Sequence, residues 1–274
     1  MQPIIEQKII NQTDRALLID VLHKSTSLSK QTLKSALDKG CVWLKNGKKI
    51  NRVRRVKKPL KIGDEVYIYF NEKILLSSVA EPKLILDKKD YSVWFKPAGV
   101  FSQGSKWGDH CALTRLVEKS LNRNCFLVHR LDRATSGIMI IAHTKKMAKE
   151  LSDLFANRQI HKTYLAIISG DIRSNNLTID NAIDGKKAIS HITVIKKNED
   201  KTLLRVNIET GRKHQIRRHL SEIDCAIIGD RLYGDAPKNQ KEDLQLQAIK
   251  LDFICPISQQ TITIELEKHK QLAI

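Results

Sequence analysis

An α+β fold in two parts is the class the sequence predicts, and three observations predict it. Beyond residue 88, seven β-rich runs, "YSVWF", "GIMIIA", "TYLAIIS", "AISHITVI", "LLRVNIET", "LDFI" and "TITIEL", outnumber the helical stretches "KKMAKELSDLFANR" and "RKHQIRRHLSEI". The runs do not alternate regularly with helices, which favours a mixed, largely antiparallel sheet with packed helices over a doubly wound one. The first 80 residues differ in composition, with 16 Lys and Arg against 7 acids, or +9 of a net charge of +18.

The first part is expected to hold a helix over "SKQTLKSALDKG". Ser29 is placed to cap it, Leu33, Ala36 and Leu37 make one face, and Gly40 ends it. A short strand follows, then a turn at Asn46-Gly47, and "KIGDEV" leads into "EVYIYF", a run of high strand propensity. Between them "KNGKKINRVRRVKKPLK" (45–61) carries nine basic residues and no acid. Like charges repel, so the run adds no stability by itself. It is either a solvated basic hairpin or a surface for a polyanion. In this order of elements residues 12–72 resemble the S4 RNA-binding domain, most specifically in "LDKGCVWLKNGKKI" and "KIGDEV". The resemblance implies a small α+β module whose helix and basic loop grip structured RNA. Residues 73–87, with a Ser-Ser pair and Pro82, are expected to link it to a second domain at 88–274.

Across 274 residues, 41% are hydrophobic, which is enough for a genuine core. The 48 Lys and Arg against 30 Asp and Glu imply a polyanionic partner, nucleic acid being the commonest. Five cysteines (41, 111, 125, 225 and 255) are odd in number, widely spaced and without a C-x-x-C pair. That argues against a disulfide framework and a zinc knuckle. The start, "MQPIIEQKII", lacks the basic-then-apolar order of a signal peptide, and no apolar run approaches ~20 residues. The expectation is a soluble, cytoplasmic, monomeric protein with no membrane partner. Nine histidines without H-E-x-x-H or H-x-x-x-H spacing predict no metal site, and no GxGxxG or Walker-type loop predicts a cofactor.

Three segments of the second part carry polar residues that propensity leaves unexplained. In "VHRLDRATSGIMIIAHT" (128–144), Asp132 stands between Arg130 and Arg133 before Ser136-Gly137 turns into an apolar strand. Such a carboxylate is a solvated ion pair or a nucleophile held near cations that favour its charged form. In "HKTYLAII", Lys162 and Tyr164 fall at strand alternation and face one side. In "ETGRKHQIRRHL", Thr210-Gly211 opens a helix whose buried stripe is Ile216, Leu220 and Ile223, and Arg217 sits beside that stripe.

These segments are similar to the signature blocks of the pseudouridine synthases of the RluA type. "HRLDRATSG" matches H-R-L-D-x-x-T-S-G at every fixed position. "WFKPAGV", "HKTYLAIISG", "ETGRKHQIRRHL" and "IIGDRLYG" match further blocks in family order over about residues 88–266. The resemblance implies isomerisation of uridine in RNA to pseudouridine, with no cofactor. It assigns Asp132 to attack, or support, the sugar C1′ as the base leaves. It pairs Arg217 with Asp132, and gives Tyr164 a ring that stacks on uracil and a hydroxyl that helps remove the C5 proton. Arg130 would fill the gap left by the flipped base, Leu246 would form an apolar wall under it, and Lys162 and Arg212 would contact RNA. The substrate expected is large-subunit ribosomal RNA, with transfer RNA as the other possibility.

The chain departs from the family at Phe95, where a polar residue is usual, at Cys225-Ala226, where His-Pro is common, and at Gln247, which replaces a histidine. None is Asp132, Tyr164 or Arg217. The rival reading is a catalytically silent, ribosome-associated RNA-binding protein, and the intact triad is what speaks against it. A nuclease would need clustered metal-binding acids or a His pair set for acid–base work.

Overall fold

Ser29 starts a helix as its position predicts. In the computed structural model, which describes residues 4–234 and 242–274, the Ser29 hydroxyl accepts the Thr32 amide at 3.1 Å. Leu33, Ala36 and Leu37 are fully buried, and Gly40 follows with φ +79°, a conformation that favours glycine. The chain divides into two units, Met1–Val79 with Gln103–Lys119, and Ala80–Ser102 with Ser120–Ile274.

In chain order the first unit holds β1 (Ile4–Ile10), α1 (Leu18–Thr26), α2 (Lys30–Asp38), β2 (Val42–Asn46), β3 (Lys49–Arg52), β4 (Glu65–Asn71) and α3 (Glu72–Leu75). The strands form one antiparallel sheet in the order β1-β4-β2-β3, and Gly47 makes the predicted turn between β2 and β3. Its core joins Leu18, Leu22, Leu33, Leu37, Val66 and Ile68. Sequence reasoning missed α1 because no side chain caps it at Leu17, and β1 because only Ile9 along it is buried.

The basic run is less free than its composition implied. Asp109 takes Arg52 at 2.9 Å and Arg54 more closely still, the Arg52 guanidinium lies 4.5 Å from the centre of the Trp43 ring, and Lys45 pairs with Glu65 at 2.7 Å. The neutralising Asp109 is 55 positions from Arg54, beyond the reach of any local pattern. Lys48, Lys49, Arg55 and Lys57 remain exposed, with no ion pair among the described residues.

Two boundaries differ from those expected. Residues 73–87 are not an unstructured linker, since they include most of α3 and all of β5 (Lys83–Asp87), a strand of the second unit. Residues 103–119, expected with the second domain, group with the first unit, where Asp109 and Lys106 find their partners.

The remaining elements are β6 (Tyr91–Lys96), α4 (Leu113–Leu121), β7 (Phe126–Leu127), β8 (Ser136–Ala142), α5 (Lys145–Ala156), β9 (His161–Ser169), β10 (Asn176–Ile179), β11 (Ser190–Lys197), β12 (Lys201–Ile208), α6 (Gln215–Ser221), β13 (Leu246–Ile254) and β14 (Thr261–Glu265). The large sheet runs β10-β11-β12-β9-β13-β8-β6-β5, with β14 on β13 and β7 on β8. Its pairings are antiparallel except β13 with β8, so it is the mixed, largely antiparallel sheet expected.

Both faces of that sheet are covered. On β9, Leu165 and Ile167 join a cluster with Met147 and Leu151 of α5, while Ala166 and Ile168 join Ile216 and Leu220 of α6 on the other face. Tyr164 belongs to the α6 face by the same alternation. Gly137, in the HRLDRATSG block, has φ +123°, and a Cβ there would lie 2.2 Å from the Ala248 carbonyl oxygen. Glycine is what lets β13 run beside β8 and bring Leu246 to the same place.

Candidate active site

The loop carrying Asp132 is fixed from three sides. His129 Nε2 accepts the Ile140 amide at 2.9 Å, and its ring stacks on Phe155 with centres 4.3 Å apart. Burial pushes the His129 pKa down to about 3, so the ring stays neutral, with its proton on Nδ1. The Ser102 hydroxyl donates to the Leu131 carbonyl at 2.6 Å and accepts the Leu131 amide at 3.0 Å. Lys96, fully buried, donates to the carbonyls of Pro97, Val100 and Arg133 at 3.0, 2.8 and 3.3 Å.

Nothing in "WFKPAGV" itself assigns Lys96 a role, yet its ammonium ties that turn to the loop of Asp132. Burial lowers its pKa to about 7, with the Asp132 charge working the other way. The unfolded chain binds this proton up to about pH 10.4 and the folded chain only to about 7, so between the two stability rises with pH. Denaturant unfolding of wild type and Lys96→Met should therefore diverge in favour of wild type from pH 7 to 10. A gap that stays flat over that range would show that Lys96 keeps its proton in the fold.

Opposite the loop, Gln215 organises the start of α6. Its side-chain oxygen accepts from the Thr210 hydroxyl at 2.7 Å and the Arg212 amide at 3.1 Å, and its amide donates to the Ile189 carbonyl at 2.9 Å. His214, at the head of the helix, adopts φ +56°. Its Nδ1 lies 2.9 Å from the Tyr233 hydroxyl and its Nε2 3.6 Å from Asp132 Oδ1. Burial lowers the His214 pKa, against the Asp132 charge, and the ring is neutral. A carboxylate only accepts, so we assign the proton to Nε2, leaving Nδ1 to accept from Tyr233.

Arg217 is shared between two carboxylates. Its Nε and Nη2 donate to Asp230 Oδ2 and Oδ1, both at 2.7 Å, and Nη1 faces Asp132 Oδ2 at 3.6 Å. The expected partnership with Asp132 is thus the looser of the two, and Asp230 makes the two-point grip. Asp230 is buried, and its Oδ1 also accepts the Leu232 and Tyr233 amides at 2.9 and 3.1 Å. Burial acts to raise the Asp230 pKa, but Arg217 and those amides hold it below its ordinary value. The block "IIGDRLYG" gave no hint of this role, because which residue Asp230 meets is set by the turn of α6.

Asp132, whose side chain is 22% exposed, lines a cavity of about 350 Å³ with Arg130, Thr135, Tyr164, Arg212, Arg217 and Leu246. Burial, with the Asp132 charge adding to it, raises the Tyr164 pKa above its ordinary value. The phenol is therefore neutral near pH 7, suited to stacking or donating and not to acting as a base. Thr135 is buried and its hydroxyl has no hydrogen-bond partner among the described residues. Arg130 is exposed and makes no ion pair among them, while Arg212 is held to the Lys187 carbonyl at 3.0 Å. Lys162 does not line the cavity; it sits on β9 two residues before Tyr164, and burial lowers its pKa.

The departures have structural partners. Gln247 is buried, donates to the Lys270 carbonyl and accepts the Leu272 amide, fastening the end of the chain. Phe95 packs on the α5-side core, and Cys225 joins the α6-side core. Among the described residues no three His, Cys, Asp or Glu are grouped to hold a metal ion, and no helix is long and apolar enough to cross a membrane.

Known proteins resemble this chain along the segment that builds the cavity. A family model described as RNA pseudouridylate synthase matches residues 90–222. A curated relative from Helicobacter pylori (strain J99), an uncharacterized RNA pseudouridine synthase, is 33% identical over 67% of this chain and 76% of its own length. Two other Helicobacter pylori relatives are spanned over 66% and 61% of their length, just under two thirds. Two relatives at 29% identity differ in the RNA that their names state. One is the tRNA pseudouridine synthase C of Vibrio cholerae, covering 62% of this chain and 84% of its own. The other is the ribosomal large subunit pseudouridine synthase D of Xylella fastidiosa, covering 73% and 67%. The structure titled Human RNA Pseudouridylate Synthase Domain Containing 1 shares the fold, with TM-score 0.61 and 21% identity over 70% of this chain and 85% of that one.

Proposed function

The chain belongs to the RNA pseudouridylate synthase family, and from that premise we propose that it isomerises uridine to pseudouridine in large-subunit ribosomal RNA. The observation that carries the proposal is Asp132, set in a cavity that also holds a neutral phenol, an apolar wall and a guanidinium. The N1–C1′ bond breaks, the uracil turns, C5 bonds to C1′, and the C5 proton is lost while N1 gains one. Asp132 acts at C1′, by attack or by supporting its developing positive charge. Tyr164 stacks on the uracil above Leu246. Arg130 enters the space the base has left, where a planar guanidinium stacks on the neighbouring pairs.

In vitro transcribed large-subunit ribosomal RNA labelled with tritium at uridine C5 tests this reading, because each conversion releases one label to water. Release is the expected result, and none would favour the catalytically silent binder. Transfer RNA is the second reading, supported by the name of one relative. If label leaves transfer RNA alone, the ribosomal assignment is wrong and the chemistry stands.

Residues 12–72 serve in the proposal as an S4-like module that meets phosphate through Lys48, Lys49 and Lys57. Replacing all three with Glu should weaken RNA binding and flatten the dependence of log K on log salt, by about one unit for each phosphate no longer neutralised. An unchanged slope in filter binding would remove these lysines from the interface.

A further inference from the structure

Phe101 is the exposed aromatic side chain nearest in sequence to the turn that anchors Asp132. The residue is 42% exposed, and the Arg133 guanidinium lies over its ring, 4.9 Å from the ring centre. A single exposed apolar residue is ordinary. This one is different in how firmly it is held. The carbonyl before it, on Val100, is gripped by the Lys96 ammonium, and the residue after it, Ser102, is bound twice to Leu131. Arg133 is tied to the same turn, its carbonyl accepting the Gly99 amide at 2.8 Å and its Nε donating to the Gly99 carbonyl at 3.3 Å. Hydrogen bonds to the backbone thus fix the turn that carries Phe101 and tie Arg133 to it, both residues are exposed, and no carboxylate pairs with Arg133 among the described residues.

We propose that Phe101 and Arg133 form a stacking ledge for an unpaired nucleobase of the RNA, next to the nucleotide held at Asp132. The proposal rests on the RNA pseudouridine synthase reading and adds to it a subsite outside the cavity. Arg133 follows Asp132 directly, so a strand that delivers one nucleotide to the carboxylate brings its neighbour to the ledge. Bases stack on aromatic rings and on guanidinium planes whatever their identity, and a platform that is already ordered loses little entropy on binding. Being outside the cavity, the ledge would hold a flanking base and would leave the bond-breaking step alone.

Substitutions that separate shape from charge test it. On tritiated large-subunit ribosomal RNA, Phe101→Trp should match wild type, and Phe101→Leu, apolar but without a ring face, should lose about tenfold in kcat/KM through KM. Arg133→Ala and Arg133→Lys should both fall by a similar factor, because lysine keeps the charge and loses the plane. The salt slope of binding should match wild type in Phe101→Leu. Full activity in Phe101→Leu, or full rescue by Arg133→Lys, overturns the ledge; the second would mean a phosphate contact. Filter binding of the same RNA is run in parallel. If wild type binds but makes no pseudouridine in this RNA or in transfer RNA, the isomerase reading fails, and the Phe101→Leu affinity alone still decides on the ledge.

Discussion

Asp132→Asn should abolish tritium release from uridine-labelled RNA, by more than about 10⁴-fold, while RNA binding and the thermal midpoint stay close to wild type. The size follows from the proposed role, since a group acting at C1′ would have no substitute among its neighbours: His214, Arg217 and Tyr164 are a neutral ring, a cation and a neutral phenol. The small structural effect follows from the geometry. Asp132 meets both His214 and Arg217 at 3.6 Å, too far for a direct hydrogen bond, so a side chain of the same shape breaks none of those contacts. Its backbone carbonyl still accepts the Thr135 amide. Retention of a tenth of wild-type activity would take Asp132 out of the chemistry; a large fall in thermal midpoint would make it a structural residue.

How far the site was legible in the sequence depends on the range of the signal. Strand alternation placed Tyr164 on a face and the helix stripe placed Arg217 beside it, and both positions hold because period and burial are local properties. The cap at Ser29 and the turn at Gly47 were legible for the same reason. Lys96 and Asp230 were not, although each lies in a signature block. Their partners are the carbonyl of Arg133 and the guanidinium of Arg217, which only the assembled fold brings to them. The basic run misled in the same way, since nothing near residues 45–61 announces that Asp109 neutralises two of its arginines. The strand at 83–87 reads as linker because its side chains are mostly exposed, and an edge strand with few buried positions lacks the pattern that marks one.

Asp230→Ala should lower stability by about 3–5 kcal/mol, because it leaves the buried Arg217 guanidinium with two donors unmet. For a chain of this size that is a fall in midpoint of roughly 10 °C. Asp230 keeps its carboxylate ionised below the ordinary range, so its contribution is complete above about pH 4 and is lost only as acid carries the pH through the folded value. The gap between Asp230→Ala and wild type should therefore be flat across neutral pH and close in acid. Asp230→Asn asks the sharper question. Asn can still accept the Leu232 and Tyr233 amides, but its NH₂ meets an Arg217 N–H donor to donor, and the guanidinium is freed to turn toward Asp132. A close Asp132–Arg217 pair would occupy the oxygen proposed to act at C1′, and kcat should fall about 10²-fold with KM little changed. In the Asp132→Asn background the same replacement should cost more stability, because the freed guanidinium then has no carboxylate to turn to. Equal kcat in Asp230→Asn and wild type would mean that the two-point hold serves the fold alone.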